Sequence, residues 1–421
     1  MAQQLHIVGA GWAGLAAALA ADQAGWQVTL HEASAQAGGR ARGLDLPKLP
    51  DQLDNGQHLL IGAYRATLQL FKLAEQDPDQ VLLRTPLDLR WPQGEGFKMR
   101  GSQPSLGMLL GVLQARGWRW RDRWSFVKAA LAWQRKHFTC DAHWHVQALC
   151  QHHGITDTVM QQLIEPLCLS ALNTPTHLAS AQVFLRVLQD AFLGGTGACD
   201  LLIPRTHLSA LLVDACLQKL QRKQHTIQLK HRVSRENIQH WLQTPNTHVL
   251  LACPAWEAAN LCESLAPDWS AQAHALQHRA IATVYLRCLD PTFKALDRPM
   301  MALPYSPEQP AQFVFDHGQL TQQPGLLAAV VSDCTLDSEA LSARVLAQLQ
   351  TQLGLAPLQH VKTLVEKRAT FACLPNMRRP SAPILPKLWA CGDYVQGPYP
   401  ATLEGAVRSG FEAIDALQRC I

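Results

Sequence analysis

Glycine recurs at positions 9, 11 and 14, and the turn Gly9-Ala10-Gly11-Trp12-Ala13-Gly14 constrains this chain more than any other stretch. It follows the apolar run Leu5-His6-Ile7-Val8, which reads as a buried strand, and precedes the alanine-rich Leu15 to Ala24, which reads as a helix. Gly9 permits the tight turn, Gly11 lets backbone approach a pyrophosphate, and Gly14 lets the helix pack close to the strand. The diphosphate then sits on free N–H groups at the helix N-terminus. A second strand over Gln27 to His31 ends on Glu32, 18 residues past Gly14, where an acid can accept both hydroxyls of an adenosine ribose and repels a 2′-phosphate. The segment predicts a Rossmann-like unit that binds a dinucleotide.

Six residues after Glu32 comes Gly38-Gly39-Arg40. This Glu-x5-Gly-Gly-Arg run resembles that of the flavoprotein family of amine oxidases and carotenoid desaturases. The resemblance implies FAD, with Gly38, Gly39 and Arg40 along its diphosphate, and the residue types agree. Two glycines let main chain pass close to a cofactor, and Arg40 offers a planar fork of donors to phosphate oxygens. Further on, Asp54-Asn55-Gly56-Gln57-His58, with Tyr64-Arg65 soon after, is similar to the signature of the hydroxysqualene dehydroxylases, squalene-associated flavoenzymes of bacterial hopanoid synthesis. By that resemblance Gly56 passes the flavin ring, and Gln57 and His58 face the reaction space. The expected catalytic residues are His58, Asp54 and Gln57, with His58 the first candidate acid and Tyr394 and Tyr399 behind it. A hydrogen-bonded structural role is the other reading of His58.

The C-terminal part completes the same expectation. Leu388-Trp389-Ala390-Cys391-Gly392-Asp393 reads as a strand ending in Gly-Asp, and Pro400 to Gly410 begins a terminal helix. The resemblance implies that Gly392 and Asp393 hold the ribityl and diphosphate region. It also sets Thr402 and Leu403 at the start of that helix, whose positive dipole end faces the flavin. In His231-Arg232-Val233 it puts a strand edge beside the adenine, with Val233 contributing backbone contacts.

At 421 residues the chain exceeds what one compact core supports. The expected fold is α/β, of the amine-oxidase and phytoene-desaturase type: a Rossmann-like FAD-binding domain (1–57, 195–265 and 385–421), an inserted mixed-sheet substrate domain (58–104 and 266–384), and a helical cap with membrane contact (105–194). Pro204 to Leu220 reads as an amphipathic helix. Strands are expected at His225 to Leu229, Thr247 to Ala252, Ile281 to Cys288, Gln312 to Phe315 and Leu326 to Val331, and a helix at Ser338 to Leu353. Glu165, in Glu165-Pro166-Leu167, reads as an exposed helix carboxylate.

Lys and Arg number 37 against 33 Asp and Glu, a surplus too small to point to nucleic acid. No run of 18 uncharged apolar residues occurs, so no membrane-spanning helix is expected. No Lys or Arg precedes Arg40, which argues against a signal peptide and for a cytoplasmic protein. The twelve cysteines are scattered without a C-x-x-C, and His143-Trp-His145 and His152-His153 lack further ligands at coordinating spacing, so no metal site is expected. Arg116 to Trp124, which holds Trp118, Trp120 and Trp124 among arginines, suits the inner face of the cytoplasmic membrane. It suits equally a solvated helix whose tryptophans pack inward.

The function implied by the resemblance is reductive removal of the hydroxyl of hydroxysqualene, with hydride from reduced flavin. An apolar isoprenoid is then the substrate, NAD(P)H or a reductase the electron donor, and the upstream prenyl synthases are candidate contacts. An isoprenoid desaturase or a flavin amine oxidase would share the cofactor motifs, and a flavin-bearing scaffold that only binds isoprenoid stays open.

Overall fold

The computed structural model describes residues 3–47, 49, 51–101 and 103–420. Its first strand, Gln4–Val8, forms because alternate side chains have buried destinations on both sides: Leu5 and Ile7 in one core, Val8 in the other. It lies inside a six-stranded sheet ordered Pro383–Leu385, Leu388–Ala390, Thr247–Leu251, Gln4–Val8, Gln27–His31, Thr226–Gln228. Every pairing is parallel except the edge hairpin of Pro383–Leu385 with Leu388–Ala390.

The first helix is Trp12–Gln23, so it begins before Leu15 and holds Gly14 in its first turn. A Cβ on Gly14 would sit 2.0 Å from the Gly9 carbonyl oxygen, which is why only glycine fits there. The C-terminal helix, Leu403–Arg419, lies against it on the same face of the sheet. At Gly410 a Cβ would come 2.4 Å from the Ala13 carbonyl oxygen, so the two helices meet backbone to backbone. The opposite face is covered by the helix Arg235–Gln243, whose Trp241 ring stacks on His6 with centroids 4.0 Å apart.

A second sheet, ordered Met300–Ala302, Phe313–Asp316, Leu326–Ser332, His278–Cys288, Leu358–Phe371, is antiparallel throughout. Its side chains alternate between two cores. Ala282, Val284, Val314, Leu327 and Ala329 pack under the helix Ser338–Leu353, while Phe313, Phe315, Ala328 and Tyr285 face the other way. Leu358–Phe371 went unread in the sequence because it is an edge strand studded with Lys362, Glu366, Lys367 and Arg368.

Three elements differ from expectation. Pro204 closes a strand, Leu201–Pro204, that pairs with Leu60–Ile61 and Leu82–Thr85. The expected helix therefore starts late, as a π-helical turn over Ser209–Val213 leading into Asp214–Arg222. Residues 231–233 run outside any strand, fixed by the His231 N–H donating to the Glu32 carbonyl at 2.9 Å. Trp118 is buried, and its indole N–H donates to Gln162 Oε1 at 2.7 Å, so it faces the core and not a membrane. Among the described residues no helix is long and apolar enough to cross a membrane.

Candidate cofactor and substrate site

The first helix begins at Gly11 with no side chain capping it, although Trp12 and Ala13 are buried. A buried helix N-terminus with unclaimed N–H groups suits an anion. Around it, Gly38 pairs with Gly11 in an isolated bridge, and the Gly38 N–H donates to the Ala10 carbonyl at 2.8 Å. The Glu32 carboxylate fastens this turn, accepting the Ala10 N–H at 2.9 Å and the Ser34 N–H at 2.8 Å. Gly9, Gly11, Gly14, Glu32, Gly38 and Gly39 thus gather in one cradle that fits a dinucleotide diphosphate.

Arg40 leads from that cradle into a cavity of about 310 Å³. One end is polar, lined by Arg40, Asn55, Gly56, Gln57, His58, Asp393, Thr402 and Leu403. Thr283, Ser332, Glu366, Thr370, Asn173 and Ser170 also reach the lining, and the remainder is mostly aliphatic and aromatic side chains. Met108 enters from the helix Pro104–Leu113, Phe184, Val187 and Phe192 from Ala181–Leu193, and Phe313, Phe315 and Val330 from the antiparallel sheet. Those chamber residues were missed in the sequence, where helical or alternating apolar residues look alike whether they face a core or a cavity.

Arg40 does not hold its guanidinium free for phosphate. It donates to the Asp393 carboxylate at 2.7 Å and to the Ala369 carbonyl, tying the two ends of the polar wall together. Gly392 stands just behind, its N–H donating to the Ser409 hydroxyl at 2.8 Å. Thr402 caps the C-terminal helix by accepting the Gly405 N–H at 3.1 Å.

The Asp54 carboxylate turns away from the cavity. It is buried and accepts the Leu208 N–H at 2.8 Å, because the short strand Leu53–Asp54 points alternate side chains to opposite sides. Burial pushes its pKa up to about 7. Asp54 is therefore not a member of the reaction space, and its role is to hold the segment before the π-helical turn. Val233 does not line the cavity either, though its side chain is buried.

Gln57 and His58 do line it. The Gln57 N–H donates to the Thr283 hydroxyl at 3.3 Å, and its side-chain oxygen lies 3.2 Å from His317 Nε2. His58 Nδ1 lies 3.2 Å from the Gly56 carbonyl oxygen. Since a carbonyl only accepts, Nδ1 carries the proton in the neutral ring and Nε2 is the atom left to gain one. Desolvation lowers the His58 pKa to about 4, so the ring is neutral at pH 7 in the open cavity.

The reserve candidates lie elsewhere. Tyr394 is buried with its hydroxyl unpartnered, and Tyr399 donates to Asp190 at 2.7 Å while stacking under Arg186. Glu165 accepts the Tyr305 hydroxyl at 3.1 Å. Asn173, in left-handed backbone at φ 46°, donates to the Thr370 hydroxyl at 2.9 Å and accepts the Asp333 N–H at 2.7 Å, pinning the helical region to the antiparallel sheet.

Known proteins match this arrangement along the whole chain. The family model described as flavin containing amine oxidoreductase matches residues 12–417. A protein named hydroxysqualene dehydroxylase from Zymomonas mobilis is 25% identical over 97% of this chain and 98% of its own. One of the same name from Sinorhizobium fredii is 28% identical over 99% and 98%. Among solved structures, an oxidoreductase from Methanosarcina mazei superposes with a TM-score of 0.70 at 16% identity, covering 98% of this chain and all of that one.

Proposed function

The chain belongs to the flavin containing amine oxidoreductases, enzymes that use FAD, and from that premise we propose that it reductively removes the hydroxyl of hydroxysqualene to give squalene. The observation that carries this reading is the cavity that joins the polar group of Arg40, Gln57, His58 and Asp393 to a largely apolar chamber. Such a lining suits a polyisoprenoid chain, and its one hydroxyl would lie beside the polar group.

The reaction breaks a carbon–oxygen bond, consumes a proton at the leaving oxygen and a hydride at carbon, and releases water. Bound, reduced FAD supplies the hydride. The chain must place the proton and exclude bulk water. His58 Nε2 is the atom assigned to carry that proton, and added negative charge at the polar end would oppose the desolvation that keeps it neutral. Gln57, held by Thr283 and His317, is assigned to orient the hydroxyl. Only one G-x-G-x-x-G occurs in the sequence, so the reading draws electrons from NAD(P)H or a reductase docking at the flavin.

An amine oxidase reading has less support. No lysine lines the cavity among the described residues, and Trp389, Tyr394 and Tyr399, the aromatics nearest the C-terminal motif, lie outside it. A desaturase would fit the same cavity with electrons flowing the other way. Anaerobically reduced holoenzyme mixed with hydroxysqualene should reoxidise and form squalene, while oxidised enzyme should not be bleached by squalene or phytoene. Bleaching with formation of a new double bond would replace the proposal with a desaturase.

A further inference from the structure

The helix Pro104–Leu113 is apolar on both sides. Met108 and Val112 turn inward, yet Leu106, Leu109 and Leu113 stand 41–56% exposed on the other face. A surface helix normally shows water a polar face. Beside it runs Trp120–Arg135, where Trp120 is 74% and Trp124 67% exposed, with Leu131 at 44%. At 100° per residue these three fall within about 40° of arc, flanked by Arg123 on one side and Lys128 and Arg135 on the other. Arg123 lies over the Trp120 ring at 5.2 Å, holding the indole outward.

Charge completes the pattern. Residues 98–136 hold nine Lys and Arg and only one acid, Asp122. That acid is buried, capping its own helix. Of 37 bases and 33 acids in the whole chain, 28 and 32 lie elsewhere, so the rest is net negative and the surplus is concentrated here. The patch is also continuous with the cavity. Pro104–Leu113 and Ala181–Leu193 pack together, and each gives side chains both to the chamber (Met108, Phe192) and to the exterior (Leu109, Leu193).

We propose that this two-helix face docks on an anionic lipid bilayer, with the leucines and two tryptophans in the headgroup boundary and the cations on lipid phosphates. The chamber then opens against the acyl layer beside Pro104–Leu113, and an apolar substrate reaches it without crossing water. This entry route rests on the substrate proposed above, whereas the docking surface does not.

The test is sedimentation of FAD-loaded protein with vesicles of phosphatidylcholine, with and without phosphatidylglycerol. Binding should require phosphatidylglycerol, weaken as salt is raised, and fall about tenfold or more in Trp120→Ser/Trp124→Ser, while flavin content and turnover in detergent stay at wild-type level. Unchanged pelleting in that variant, or equal binding to neutral vesicles, overturns the proposal. So does a dimer in light scattering that the variant dissolves, since a second copy would then cover the face. Vesicle binding that survives alongside inactivity on hydroxysqualene would sink the substrate reading alone.

Discussion

Arg40 and Asp393 stand 353 positions apart in the chain, yet their guanidinium and carboxylate meet at 2.7 Å on the polar wall of the cavity. The Asp393 side chain is 9% exposed and that of Arg40 37%, so the carboxylate depends on the pair more than the arginine does. Arg40→Ala should lower stability by about 1–2 kcal/mol, the cost of an uncompensated carboxylate at a half-open site. It should also reduce retained FAD. Thermal melting with and without added FAD, alongside flavin absorbance of the purified protein, separates the two effects.

Glu404 belongs to the C-terminal helix but caps another. Its carboxylate accepts the Ala66 N–H at 3.0 Å, the Thr67 N–H at 2.9 Å and the Thr67 hydroxyl at 2.9 Å, satisfying the start of the helix Arg65–Leu73. With Glu404 only 2% exposed, Glu404→Ala leaves all three donors without partners and should cost about 3 kcal/mol. Glu404→Gln, which keeps one acceptor, should cost less than half of that. Urea unfolding of both variants gives the comparison.

Asp54 yields a pH signature. Its folded pKa, about 7, lies above the ordinary carboxylate value of 3.8, so the bound proton stabilises the fold at low pH and that contribution is lost as pH rises through 7. Asp54→Asn keeps an acceptor for the Leu208 N–H and never ionises. Its stability advantage over wild type should grow from pH 5 to pH 8 by roughly 2–3 kcal/mol, measured by denaturant unfolding at each pH. Turnover should change little, because the carboxylate faces away from the cavity. A large loss of kcat with normal folding would return Asp54 to the reaction space.

His58 predicts a pH profile in turnover, not in stability. With a pKa lowered to about 4, its protonated fraction falls as pH rises across the working range. If it delivers the proton, turnover should decline from pH 5 to pH 8, and His58→Ala should flatten that profile while slowing the reaction by about 10²–10⁴ with FAD still bound. A His58→Ala enzyme with an unaltered pH–rate curve would leave the ring a hydrogen-bonded wall residue.

What the sequence could convey follows from how local each feature is. The turn from Gly9 to Gly14 and the acid at Glu32 interact across neighbouring strands of one unit, so spacing alone exposes them. The Arg40–Asp393 pair has no spacing to read, and a fork of donors looks equally ready for phosphate or carboxylate. Asp54 was misassigned because a motif gives residue types without directions. The two-residue strand Leu53–Asp54 sends Asp54 toward Leu208, and the chain turns at Gly56 before Gln57 and His58 reach the cavity. In the same way Trp118 and Trp120 differ by two positions and by opposite fates, one hydrogen-bonded inside and one in solvent.

The strand order of the nucleotide sheet also sets a timetable for making the protein. Gln4–Val8 pairs with Thr247–Leu251, which in turn pairs with Leu388–Ala390, and the first helix is covered by Leu403–Arg419. At about 5–20 residues per second, roughly 20–70 s of translation separate His31 from Leu403. Through that interval the alanine-rich first helix lacks the helix that covers it, although its strand already has Gln27–His31 beside it. Asp393, Thr402 and Leu403 of the polar wall are made only near the close of that interval, so the wall is incomplete until then. The site opened by the Gly9 to Gly14 turn is thus closed by residues synthesised long after it.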